Sequence, residues 1–100
     1  MRIVWSPQAL EDIEEIRSYI ARDSPVSAEL FVDRIFESAG RLLDHPWSGR
    51  IVPEFKDATL REVILGSYRV IHRVRQSTIF ISTVFHAARL LQPEHIRETP

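Results

Sequence analysis

One hundred residues, 44% of them hydrophobic, make a single domain (residues 1–100) able to bury roughly two-thirds of the surface its unfolded chain would expose. The absence of cysteine excludes disulfides and thiol catalysis, and no stretch approaches the ~20 apolar residues of a membrane span. The net charge of −1 conceals a division, because residues 1–44 carry five basic and nine acidic side chains and residues 45–100 carry eight basic and five acidic ones.

The opening Met1-Arg2-Ile3-Val4-Trp5 is too short an apolar run for a signal peptide, so a soluble cytoplasmic protein without membrane contact is expected. Arg2 to Trp5 reads as a short strand. Ser6 and Pro7 then supply an N-cap and a first-turn proline, opening a helix to about Arg22. Leu10, Ile13, Ile16 and Ile20 recur at spacings of three and four and predict its buried stripe, while Glu11, Asp12, Glu14 and Glu15 place negative charge near its N-terminal end. Ser24 and Pro25 repeat the start signal. A second helix to about Leu43 would bury Ala28, Phe31, Val32, Ile35, Phe36, Ala39, Leu42 and Leu43. The segment Asp44-His45-Pro46-Trp47-Ser48-Gly49 breaks the pattern and leads to a short strand, Arg50 to Val52, followed by a polar loop, Glu54 to Thr59.

Three further strands are predicted at Arg61 to Leu65, Tyr68 to Arg75 and Thr78 to His86. Their two-residue links, Gly66-Ser67 and Gln76-Ser77, favour antiparallel hairpins; glycine suits a type II′ turn, whereas Gln76-Ser77 suits no primed turn well. Alternation puts Tyr68, Val70, His72 and Val74 toward the helices and Arg69, Ile71, Arg73 and Arg75 on an open face. In the last strand Ile79, Ile81, Thr83 and Phe85 form the expected core set. Twelve of the thirteen basic residues are arginine, and four of them (Arg69, Arg73, Arg75, Arg89) lie between Val63 and Gln92 without a carboxylate in that stretch. A sheet face bearing such guanidinium groups suits phosphate or acidic-protein recognition. The scattered histidines have no metal-ligand spacing, and neither a phosphate loop nor a Ser/His/Asp set is present, so no metal or cofactor is expected.

Each of these residues also has a plainer role. Arg69 could pair with Glu62 across the hairpin, Arg73 and Arg75 could be a solvated face, and His72 lies on the apolar parity of a core position. Trp47 could be a staple over a helix end, and His45 a loop residue. A general nucleic-acid-binding module is disfavoured by the near-neutral charge and the lack of aromatic residues interleaved with the arginines.

The ordered set Trp5-Ser6-Pro7, Ala9, Ile13, Ile16, Tyr19-Ile20, His45-Pro46, Gly49-Arg50, Pro53-Glu54, Leu60-Arg61-Glu62, Tyr68-Arg69, Val84, His86 and Arg89 resembles the RelE/ParE superfamily of toxins over nearly the whole chain. The resemblance implies an α+β fold: an N-terminal strand and an antiparallel helical hairpin packed on one face of a mainly antiparallel sheet. It implies as partner a cognate antitoxin, with operator DNA reached only through that complex. It also implies one of two activities, since RelE-like members cut mRNA on the ribosome and ParE-like members block DNA gyrase. For cleavage the candidates are Arg61, Arg69 and His86; for target or antitoxin binding they are Arg61, Arg69, Arg73, His86 and Arg89. The segment Ala87-Ala88-Arg89-Leu90-Leu91-Gln92-Pro93 lacks the tyrosine or second basic residue that RelE-like nucleases tend to carry, and Glu62, Val63 and Ile64 stand where those enzymes have lysines. Together with the acidic first helix this favours the gyrase-directed branch. A degenerate toxin that only binds its antitoxin is the remaining alternative. Toxicity is expected to reside in the C-terminal strand and the tail, residues 87–100, whose removal after Phe85 is expected to leave most of the core.

Overall fold

The computed structural model describes residues 1–96. Five strands form one sheet in the order β1-β5-β4-β3-β2, with β1 (Arg2–Trp5), β2 (Arg50–Ile51), β3 (Leu60–Leu65), β4 (Tyr68–Arg75) and β5 (Thr78–His86). β1 runs parallel to β5, from Arg2 opposite Thr78 to Trp5 opposite Ile81, and every other neighbouring pair is antiparallel. Helices α1 (Pro7–Ala21) and α2 (Pro25–Arg41) cover one face. The architecture is the α+β arrangement expected from the sequence.

Both helices start as their Ser-Pro pairs dictate. Ser6 Oγ accepts from Ala9 N at 2.9 Å, Ser24 Oγ accepts from Ser27 N at 3.1 Å, and each proline fills the first turn, where its missing N–H costs nothing. The stripe of α1 follows the expected one at Ile13, Ile16 and the partly buried Ile20 and differs at its start, where Ala9 is buried and Leu10 is half exposed. On α2 the buried residues are Ala28, Ile35, Ser38 and Ala39, with Leu42 just beyond; Phe36 and Leu43 turn partly outward. Phe36 still packs its ring on Trp5 at 4.8 Å, and Phe31 packs on Tyr68 at 5.3 Å. These contacts join the hairpin of helices to Val70, Ile79, Ile81 and Val84 in the main core.

The face assignment of β5 fails after Ile81. Pairing with β4 steps from Ile71 opposite Thr83 to His72 opposite Ile81, so Ser82 has no partner and forms a β-bulge. The extra residue reverses the alternation, sending Val84 to the helices and Phe85 to the other face. Asp12 of α1 meets this edge of β5, accepting from Val84 N at 3.0 Å and from the Thr83 hydroxyl. β1 has ended by then, and the carboxylate takes the place of a strand partner for Val84 N–H.

Both hairpin turns keep their predicted places. Gly66 has φ of +57°, as its turn requires, and Gln76 takes φ of +54°, accepting a left-handed conformation that glycine would adopt more cheaply.

The second sheet face is covered, contrary to the expectation of an open one. The loop after β2 and the chain after β5 fold across it and enclose a smaller core of Val52, Leu60, Ile71, Phe85 and Leu91, flanked by Phe55 and Ile96. The expected tail therefore contributes to packing through Leu91, which is 3% exposed; residues 97–100 of that tail lie outside the described residues. Among the described residues no helix is long and apolar enough to cross a membrane.

Candidate functional site

The candidate residues divide among three places. On the second face, Arg69 of β4 is 4% exposed and its guanidinium is bound on several sides. Nε and Nη2 donate to Glu62 Oε1 at 2.8 and 2.6 Å, while Nη1 and Nη2 donate to Glu54 Oε2 and Oε1, both at 2.8 Å. Glu62 is fully buried on β3 and takes a further donor, Arg50 Nε, at 2.5 Å. The planar fork of Arg69 is well matched to such bidentate carboxylates. The hydrogen bond from Arg69 holds the Glu54 carboxyl down at about 2, with the Leu91 N–H acting the same way, against the opposing effect of burial. Arg69 is raised in turn, first by Glu54.

Arg69 thus faces inward, into an ion cluster that ties β2, β3, β4 and the following loop together. Arg73, on the same face, donates through Nη1 to Asp57 Oδ2 and Thr59 Oγ1, both at 2.7 Å. The hydrogen bond from Arg73 holds the Asp57 carboxyl at about 2. The arginine-bearing face is accordingly matched by carboxylates.

Arg61 is separate, on the helix side of β3. Its guanidinium lies 5.3 Å from the centroid of the half-exposed Trp47 ring, and Nε donates to the Ala58 carbonyl at 2.9 Å. Opposite Arg61 on β4 sits His72, fully buried as its parity implied. Burial pushes the His72 imidazole down to about 4; the nearby Arg61 charge adds to this, and the Val70 and Pro46 backbone oppose it. Its ring nitrogens make no well-formed hydrogen bond, so backbone proximity does not offset the cost of burial.

His86 and Arg89 come together. They line a cleft of about 370 Å³ between α1 and the tail, with Asp12 and Glu15 on the helical wall and Tyr68 on β4. His86 Nδ1 accepts from Ala88 N at 3.1 Å, which leaves the proton of a neutral ring on Nε2, and the ring meets Tyr68 edge-on at 5.4 Å. The Arg89 guanidinium sits 4.5 Å above the Phe85 ring, exposed to solvent. Arg89 is linked to Arg69 only through its carbonyl, which accepts from Nη1 at 3.3 Å.

The sequence marks Asp12 only as charge near a helix start, Glu54 only within the Pro53-Glu54 pair of the resemblance, and Glu62 only as a possible partner of Arg69. Once Gly66-Ser67 is read as a hairpin turn, Ile64 falls opposite Arg69 and places Glu62 on the same face two residues away. Glu54 has no comparable signal, because it stands in an irregular loop. Among the described residues no group of three or more histidine, aspartate and glutamate side chains could hold a metal ion.

Comparison with known proteins agrees with the fold. The model of the family described as the ParE toxin of the type II toxin-antitoxin system parDE matches residues 3–91. Toxin RelE2 of Caulobacter vibrioides is 36% identical over 90 residues, spanning 89% of this chain and 98% of that protein. The putative toxin Y4kP of Sinorhizobium fredii is 34% identical over 88 residues, covering 86% and 88% of the two chains. A chain of the solved chromosomal ParDE system from P. aeruginosa superposes with a TM-score of 0.69 at 22% identity, over 86% of this chain and 95% of that one; this is a likeness of fold. With nearly its whole length matched, the chain belongs to the ParE toxin family of type II toxin-antitoxin systems.

Proposed function

We propose that this toxin arrests growth by inhibiting DNA gyrase and is neutralised by a cognate antitoxin, with operator DNA reached only through the antitoxin complex. The observation that carries the choice of target is the state of Arg69. Cleavage through a 2′-OH attack needs a cation at the scissile phosphate, and the arginine that the RelE-like pattern would use there is buried and bound by Glu54 and Glu62. Moving it onto a phosphate would leave the fully buried Glu62 short of its main partner. Burial raises the Tyr68 phenol, which keeps it protonated but makes it a weaker proton donor than an unshifted tyrosine. A protein target asks only for a surface, and the exposed Arg89 and His86 beside a cleft supply one.

For the antitoxin, the outer side of the helical hairpin offers Tyr19, Val26 and Leu30, each more than half exposed, which suits an amphipathic segment. On this reading the antitoxin docks on the helices rather than on Arg69 and Arg73, whose carboxylate partners are internal.

One observation favours the mRNA endonuclease reading. His86, Arg89 and Tyr68 share a cleft, and His86, its Nδ1 engaged by Ala88 N, could donate a proton through Nε2. Purified toxin added to a gyrase supercoiling assay and, in parallel, to ribosomes programmed with mRNA separates the two. Loss of supercoiling with intact mRNA is expected. Codon-periodic cuts that vanish in His86→Ala would replace gyrase inhibition with cleavage, and absence of growth arrest would leave only antitoxin binding.

A further inference from the structure

Two backbone groups of the chain after β5 are held by one ion pair. Glu54 Oε2, besides accepting from Arg69, accepts from Leu91 N at 2.8 Å, and Arg69 Nη1 donates to the Arg89 carbonyl at 3.3 Å. Between these two points Leu90 is 73% exposed, while the Leu91 side chain enters the second core. The loop that presents Glu54 is itself fixed: Phe55 N and Lys56 N both donate to the Val52 carbonyl, and Lys56 adopts φ of +51°. A surface loop, an inward-facing arginine and the tail backbone therefore meet at one carboxylate. That is more than a stabilising contact requires, since the ion pair with Arg69 would be complete without the tail.

We propose that Glu54 is a positioning residue for the toxic surface: with Arg69 it clamps the backbone at Arg89 and Leu91 and thereby holds the Arg89 guanidinium over Phe85 at the cleft shared with His86. This deepens the reading above and rests on it, in that Arg89 is taken to meet the target. Glu54 touches no partner itself. The turn hydrogen bond from Arg89 N to the His86 carbonyl at 3.1 Å and the stacking on Phe85 each act on one end of the arginine, and a clamp on the backbone to either side of Leu90 fixes the segment between them.

The test uses the full chain with Glu54→Gln, which keeps one acceptor but replaces the other with a donor facing Arg69. The Leu91 amide reports directly on the clamp: its hydrogen exchange should speed up by about tenfold or more, while the amides shared by β4 and β5 stay protected. The concentration needed to inhibit gyrase should rise by about tenfold, and Glu54→Gln combined with Arg89→Ala should be no weaker than Arg89→Ala alone, because both changes act through one contact. Glu54→Asp, which keeps the charge for Arg69 but reaches less far, serves as a second variant should Glu54→Gln not accumulate, with the same expectations. Unchanged Leu91 exchange, exchange that rises equally in the strands, or additive losses in the double variant would each overturn the proposal. If wild-type protein arrests growth without affecting supercoiling, the gyrase target falls by itself, and growth arrest then reads the same double-variant comparison.

Discussion

The two faces of this sheet are closed by different chemistry. On the helix side, side chains at three- and four-residue spacing meet Val70, Ile79, Ile81 and Val84, and cohesion comes from apolar burial. On the other side a loop and a tail close over a smaller core of Val52, Leu60, Ile71, Phe85 and Leu91 and are fastened by Arg50, Glu62, Arg69 and Glu54. A helix satisfies its own backbone and can be held by grease alone. Irregular chain cannot, and here a carboxylate supplies the Leu91 N–H with its partner. The arginines that look like a binding surface along the chain are, on this face, largely the fastening of a cover.

The sharpest way to break the comparison is Arg69→Met. It strands the buried Glu62 and unclamps Glu54, so unfolding in urea should show a loss of about 3–5 kcal/mol. A loss under ~1 kcal/mol would reduce the cluster to ordinary surface pairing. Next come paired truncations. Ile35→Ala, in the helix-side core, should cost about 3 kcal/mol, and Leu91→Ala, on a tail able to settle inward, nearer 2 kcal/mol. Equal costs would mean that the second core is packed as tightly as the first.

Acid should unfasten the faces in two windows. His72 is held neutral on the helix side, with its folded value near 4, so the unfolded chain takes up the proton first as pH falls below 6.5. Its contribution is complete above 6.5 and is lost toward 4, with a slope of at most about 1.4 kcal/mol per pH unit. Glu54 and Asp57 are depressed from ordinary carboxyl values to about 2, so their contribution is complete above about pH 4.5 and fades only as pH falls toward 2. His72→Leu should flatten the first window in pH-dependent urea titrations and leave the second. The smallest effect is at Arg61→Ala, where loss of the contact over Trp47 should cost under ~1 kcal/mol by thermal unfolding.

Much of this fold is legible along the chain because its signals are local. Two Ser-Pro starts, two two-residue turns and the apolar spacing place both α-helices and all five strands to within two residues, though not the short 3-10 helix at Pro93–His95. The β5 faces were misread because Ser82 inserts one residue without a glycine or proline to mark it, and a single insertion reverses all that follows. The second core escaped for a related reason. Phe55 and Leu91 belong to no periodic segment, and the carboxylates that answer Arg69 and Arg73 come from residues 54–62, just before the acid-free stretch that drew attention. Of the candidate residues, His86 and Arg89 share a cleft, Arg69 and Arg73 face carboxylates, and Arg61 stands apart beneath Trp47.

The strand order carries a consequence for synthesis. β5 is the last strand of the chain yet lies between β1 and β4, with Ser6 Oγ donating to the Ser82 carbonyl at 2.6 Å across a separation of 76 residues. As the polypeptide leaves the ribosome, β1 and both helices emerge long before the piece that joins them to β3 and β4. Contacts of such long sequence separation form late. A copy interrupted anywhere before residue 86 is left with an unjoined helical hairpin and an incomplete hairpin of strands, with His86 and Arg89 missing. The cleft that holds His86 and Arg89 is therefore assembled only once β5 has been made and paired.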